Sequence, residues 1–219
     1  PYKIILYEKH TNPTLGAILS HLKLYVYARK NNLPYIAILE DNITIYDNLS
    51  SSSFKEVENF ISTDKKWNQL YLGGAVDPWN NRLQQIPGYN GKIYNDFDNL
   101  HGTNAYIVSS KCYNRVLNDK ALFSNIKKYY SHKKTPIAFD MYMRKIDHKY
   151  VHKPFIFSRR TVKSIINGHL DLARKFYFTP PMTSLCQWCF FKEINIGYVM
   201  AGGIVLVLAL TVIALYRML

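Results

Sequence analysis

Two carboxylates in tandem, Glu40 and Asp41, close the apolar run Tyr35-Ile36-Ala37-Ile38-Leu39. Such a run fits a strand buried on both faces, as in a parallel sheet. In open α/β sheets, ligands bind outside the carboxyl ends of the strands, so this pair occupies a position where a sheet presents chemistry; its bland counterpart is a solvated loop. Other residue types stand out. His21 follows Ser20 on a stretch of helical periodicity, and is a reactive or a packed histidine. Asp140 lies in Phe139-Asp140-Met141, on a functional or a solvated helix face. Gly73-Gly74 closes the short apolar run 69–72 and reads as a tight turn. Cys186-Gln-Trp-Cys189 has the spacing of half a zinc site or a redox pair. No second pair or Cys–His cluster completes it; the remaining readings are acylation beside a membrane and ordinary thiols.

The elements that must position these residues alternate. Residues 3–7 (KIILY) read as a strand. Thr14 is a helix cap, and Leu15, Ile18, Leu19, Leu22 and Val26 recur at helical spacing until Asn31-Asn32, before Pro34. After the Tyr35–Leu39 strand come a serine-rich loop or cap at 50–53, a helix over 54–61 and a strand over 69–72. Asn90-Gly91 marks a hairpin between 83–86 and 92–94. A strand over 103–108 precedes a helix over 110–117. Pro136 opens a short helix ending near Ile146, and 150–157 is a last strand. Strands alternating with helices predict an α/β fold, a mixed, mainly parallel sheet flanked by helices.

The chain has 219 residues and a formal net charge of +13. Residues 196–216 (IGYVMAGGIVLVLALTVIALY) carry no charge, and about 20 apolar residues cross a bilayer core. Tyr198 and Tyr216 sit at the interfaces, flanked by Lys192 and Arg217. The expectation is one C-terminal transmembrane helix within 194–217, a basic, aromatic juxtamembrane segment at 166–193, and an α/β domain over 1–165. No signal peptide is visible, and residue 1 is Pro. The layout favours a cytosol-facing domain drawn to anionic lipid or an acidic protein surface. Nucleic acid is the other reading of such charge, but the basic residues are scattered and no nucleic-acid motif accompanies them. Three cysteines make no disulfide framework.

The segment 14–45 resembles glycosyltransferase family 25, whose members make bacterial surface polysaccharide, galactosylate collagen hydroxylysine and occur in large DNA viruses. It carries Gly16, Leu19-Ser20-His21 and Leu39-Glu40-Asp41-Asn42 where the family shows a Gly-rich helix start, Leu-Ser-His and a strand ending in Glu-Asp-Asp. Gly102-Thr103-Asn104-Ala105-Tyr106-Ile107-Val108-Ser109 looks like its later strand, and Phe139-Asp140-Met141-Tyr142-Met143 like its later acidic helix. Pro154 and Ser164-Ile165 resemble its ending. The resemblance implies a GT-A-like fold and transfer, with inversion, of a hexose from a UDP-sugar to a hydroxyl. It also implies Mn²⁺ or Mg²⁺ for the departing diphosphate. Glu40, Asp41, Asn42, Gly73 and Gly74 would then meet the donor, Asp41 and Asn42 the metal, and Asp140 would be the base. Ser20, His21, Gly102 and Thr103 complete the motifs.

Three departures point elsewhere. Asn42 replaces the family's second Asp and brings no charge to a cation. Only thirteen residues precede Thr14, where members have a nucleotide-binding strand and helix. The anchor is C-terminal, whereas most membrane-bound glycosyltransferases carry it at the N-terminus. Asn42-Ile43-Thr44 and Asn48-Leu49-Ser50 are also glycosylation sequons; a lumenal glycan on Asn42 would obstruct the site, which favours a cytosol-facing or inactive domain. The alternative function is an inactive scaffold of the same fold bridging a membrane and a protein layer, such as capsid proteins around a virion's internal membrane.

Overall fold

The computed structural model describes residues 10–41, 43–45, 51–76, 83–89, 92–96, 100–132 and 136–159. The expected strand at 3–7, Asn42, Cys186, Cys189 and the juxtamembrane and membrane segments lie outside them. Among the described residues no helix is long and apolar enough to cross a membrane.

The chain runs α1 (Pro13–Lys30), β1 (Tyr35–Leu39), β2 (Ile43–Ile45), α2 (Ser51–Thr63), β3 (Gln69–Val76), β4 (Leu83–Gln85), β5 (Ile93–Asp96) and β6 (Leu100–Ser109). It continues through α3 (Ser110–Leu117), α4 (Lys120–His132), α5 (Phe139–Met143), β7 (Lys149–His152) and β8 (Phe157–Arg159). Six strands form one sheet in the order β1-β6-β3-β7-β5-β4, and β2 pairs β8 in a separate ribbon.

The α/β reading and the mixed sheet hold; the mainly parallel proportion does not. Among the described residues only β3–β7 is parallel, while β1–β6, β3–β6, β5–β7 and β4–β5 are antiparallel. The strands joined by helices, β1, β3 and β7, do share a direction, as the alternation implied. Strand β6, however, inserts between β1 and β3 and runs against both. This corrects β1 as well: among the described strands it is an edge, with Tyr35 44 % and Leu39 49 % exposed rather than buried on both faces.

Side-chain alternation divides the core. Tyr106 and Val108 of β6, Tyr71 of β3 and Val151 of β7 pack with α1, α3, α4 and α5 on one face. Ala105 and Ile107, Leu70 and Leu72, and Tyr150 pack with Val57 and Phe60 of α2 on the other. This period of two is what a sheet covered on both faces requires.

Local chemistry sets several boundaries. Asn12, not Thr14, caps α1: its side chain accepts from Leu15 N at 2.9 Å, and Pro13, which has no N–H to satisfy, takes the first helical position. The hairpin is present as β4–β5. Gly73-Gly74 is no turn but lies inside β3, where the register with β6 shifts on either side of Gly73. The last strand is two, β7 and β8, parted around Pro154, which offers no N–H to a ladder. Pro136 precedes a shorter helix than expected, α5, while α4 had no counterpart in the sequence reading.

Candidate functional site

Because β1 and β3 run one way and β6 the other, the ends of β1 and β3 meet the beginning of β6. Ala105 is the register partner of both Leu39 and Gly73. The β1–β6 ladder continues one step, with Glu40 N donating to Asn104 O at 2.8 Å. Topology thus gathers Glu40, Asp41, Gly73, Gly74, Gly102 and Thr103, distant in sequence, at one end of the sheet.

Glu40 is the hub. Thr103 Oγ1 donates to its Oε1 at 3.2 Å and Asn104 Nδ2 to its Oε2 at 3.1 Å. His21, brought from α1, places Nε2 3.7 Å from Oε1 and 3.4 Å from Thr103 Oγ1. Behind it, His21 Nδ1 lies 2.9 Å from the Tyr106 hydroxyl, itself 2.8 Å from the Tyr25 hydroxyl. Since Thr103 spends its one proton on Glu40, its oxygen accepts from His21 Nε2–H. With Nε2 as its donor, the ring accepts at Nδ1 from Tyr106, and Tyr106 shares a hydrogen bond with Tyr25, whose hydroxyl also lies 3.9 Å from Met143 Sδ. Four side chains, Tyr25, Tyr106, His21 and Thr103, form a chain leading to one carboxylate, and Asn104 donates to it directly. Burial pushes both tyrosine hydroxyls well above their ordinary range, so they remain donors.

Phe139 stacks on the His21 ring, with centroids 4.6 Å apart and planes at 18°. This brings α5, and with it Asp140, to the same region. Asp140 is half-buried, and its Oδ1 accepts from Met141 N at 2.8 Å. Asp41 is exposed in the turn after β1. Ser20 turns back on its own helix, donating to Gly16 O at 2.9 Å.

The glycines act on the backbone. Gly102 has φ +86°, and a Cβ there would lie 2.6 Å from Asn104 Oδ1. A Cβ on Gly73 would lie 2.5 Å from Phe157 O. What Gly73 demonstrably permits is the close approach of β8.

Sequence reasoning missed Tyr25, Asn104 and Tyr106 as builders of this cluster. The available signal was Thr103-Asn104, a polar pair opening an otherwise apolar strand; both are buried.

A divalent cation needs several oxygen ligands, about six for Mg²⁺. Among the described residues no three His, Cys, Asp or Glu side chains gather to hold one, and both Glu40 oxygens already accept hydrogen bonds. Asp41 is exposed at this end, and its expected partner Asn42 lies outside the described residues.

Comparison with known families decides the kinship. A family model described as glycosyltransferase family 25 (LPS biosynthesis protein) matches residues 3–143, from ahead of α1 to the end of α5. The chain belongs to glycosyltransferase family 25. The match contains every member of the Glu40 cluster together with Asp41, Gly73 and Asp140. A search of curated proteins found no match. The family 25 motifs beyond residue 143, at Pro154 and Ser164-Ile165, fall outside the matched segment.

Proposed function

We propose that this family 25 chain is a membrane-anchored transferase that moves a hexose, galactose or glucose, from a UDP-sugar to a hydroxyl acceptor. The observation that carries the reading is the convergence of three family motifs, Leu19-Ser20-His21, Leu39-Glu40-Asp41 and Gly102-Thr103-Asn104, on one hydrogen-bonded end of the sheet, with the fourth, Phe139-Asp140, stacked against it. Fixed dipoles and a held carboxylate are what transfer chemistry asks of a protein: orientation at low reorganisation cost. In this account Glu40 is a positioning group, since both its oxygens are engaged, and Asp41 faces the donor. Asp140 takes the acceptor's proton as the hydroxyl oxygen bonds to the sugar's anomeric carbon and UDP leaves.

The test is release of UDP from UDP-galactose or UDP-glucose by the full chain in the presence of hydroxyl acceptors. Asp140→Asn should lower turnover roughly a hundredfold or more, the scale of a general base, without unfolding the protein. Equal turnover in Asp140→Asn removes that role.

One observation favours the scaffold reading. Each oxygen of the Glu40 carboxylate is held by a group of its own chain, an arrangement that serves a fold as well as a reaction. If the folded chain releases no UDP from any donor, the cluster is architecture and the protein a structural module at a membrane.

A further inference from the structure

Helix α4 buries Leu122 and Ile126 in the core on the α1 side of the sheet. Its outward face is unusual. Lys120, Phe123, Lys127 and Tyr130 follow at steps of three, four and three, which sets them in one line along a helix. Phe123 is 42 % and Tyr130 56 % exposed, and the lysines are exposed with them. Lys128 flanks the line. From Lys120 to Phe139 the sequence contains Lys120, Lys127, Lys128, Lys133 and Lys134 and no Asp or Glu. The preceding acid, Asp119, is used for structure. Its Oδ1 accepts from Ala121 N and Leu122 N, and its Oδ2 from the Tyr142 hydroxyl at 2.7 Å, a bond that holds its carboxyl below the usual range.

A solvated helix face ordinarily mixes charges of both signs. A face that joins lysines and aromatics, with small serines between them and no acid, is that of a helix lying in a membrane interface: the rings enter the headgroup layer and the ammonium groups meet anionic lipid. We propose that the Lys120–Phe123–Lys127–Tyr130 face of α4 docks on an anionic lipid bilayer, the one in which residues 196–216 are anchored. The proposal rests on the membrane-anchored part of the functional reading and not on the transfer chemistry. The bilayer is favoured as occupant by charge complementarity, by the two exposed rings, and by the apolar run at the end of the same chain. Residues 160–195 separate the two in sequence, and a chain spans at most about 3.3–3.6 Å per residue. A tether of that kind raises the effective concentration of the face at the lipid without new contacts.

The test uses the full chain reconstituted into phosphatidylcholine vesicles, with and without phosphatidylserine, containing spin-labelled lipid. A fluorophore is attached at Ser124→Cys, with Cys186 and Cys189 changed to Ser. Cys112 is buried, which pushes its thiol up to about 12 and keeps it unlabelled. A matching label at Lys55→Cys, an exposed position of α2, serves as reference. The expected result is lipid quenching at 124 in anionic vesicles, little in neutral ones, and little at 55 in either. Salt should weaken it, since the Debye length falls to about 3 Å at 1 M. Joint neutralisation of Lys120, Lys127 and Lys128 to Gln should lower the docked-to-undocked ratio roughly a hundredfold, at roughly fivefold for each lysine lost. Quenching at 124 that is absent, or equal in neutral and anionic vesicles, overturns the proposal even where the chain stays in the membrane. A chain that does not enter the vesicles at all overturns both the docking and the anchor, and leaves UDP release to be judged on its own.

Discussion

At the scale of the residue, the account rests on hydrogen bonds with a defined direction. Tyr106→Phe keeps the ring and removes the donor facing His21 Nδ1, leaving a buried acceptor unsatisfied. A loss of about 1–3 kcal/mol is expected, read as a lowered denaturation midpoint of the full chain in detergent; an unchanged midpoint would dissolve the donor chain. A second residue ties stability to pH. His152 is fully buried, with Nδ1 2.6 Å from Pro154 O and Nε2 3.7 Å from Glu56 Oε2, which also pairs with Lys92 Nζ at 3.0 Å. Burial, the leading cause, lowers its pKa below the ordinary 6.5. As pH falls below 6.5, the unfolded chain takes up a proton that the native chain resists. Stability is therefore full above that pH and declines as pH falls toward the lowered native value. His152→Gln should lower stability at neutral pH but flatten its acid dependence, measured by denaturant titration on both sides of 6.5. A slope unaltered by the substitution would assign the acid sensitivity to other groups.

At the scale of the element, two glycines separate site from scaffold. Gly102→Ala must place a side chain at φ +86° and push against Asn104. The left-handed conformation alone costs about 1–2 kcal/mol, and the displaced amide would leave Glu40. Gly73→Ala meets the Phe157 carbonyl, an overpacking that costs about 1–3 kcal/mol, and loosens β8 from β3. The expected contrast is that Gly102→Ala loses more UDP release than its loss of stability explains, while Gly73→Ala follows stability alone; matching losses would make the Thr103–Asn104 corner merely structural. Elements differ in how plainly the sequence announces them. Helix α1, strand β1 and the β4–β5 hairpin follow from period and turn residues. The cap at Asn12 hid behind Thr14 because several good cap residues stand before that helix. Helix α4 was missed because its inward stripe, the buried Leu122 and Ile126 with the half-buried Tyr129, is masked in the sequence by the outward-facing Phe123 and Tyr130 between and beside them.

At the scale of the whole molecule, what no local pattern reveals is the insertion of β6 between β1 and β3. Alternating strands and helices imply parallel neighbours, and a long antiparallel strand between them leaves no trace in periodicity. Yet that insertion sets Thr103 and Asn104 against Glu40. The family motifs named Glu40, His21 and Thr103 as belonging together; the strand order supplies the reason. The two tyrosines behind them were illegible because aromatic residues in a core predict packing before they predict a hydrogen-bond chain.

The central claim, that this end of the sheet receives a nucleotide-sugar donor, is tested most directly by calorimetric titration of the full chain with UDP in Mn²⁺-containing buffer, beside Asp41→Ala. The account predicts measurable binding to the native chain and clear weakening in the variant, whose exposed position leaves the fold intact. Absence of binding to the folded native chain, or equal binding by both proteins, would contradict it.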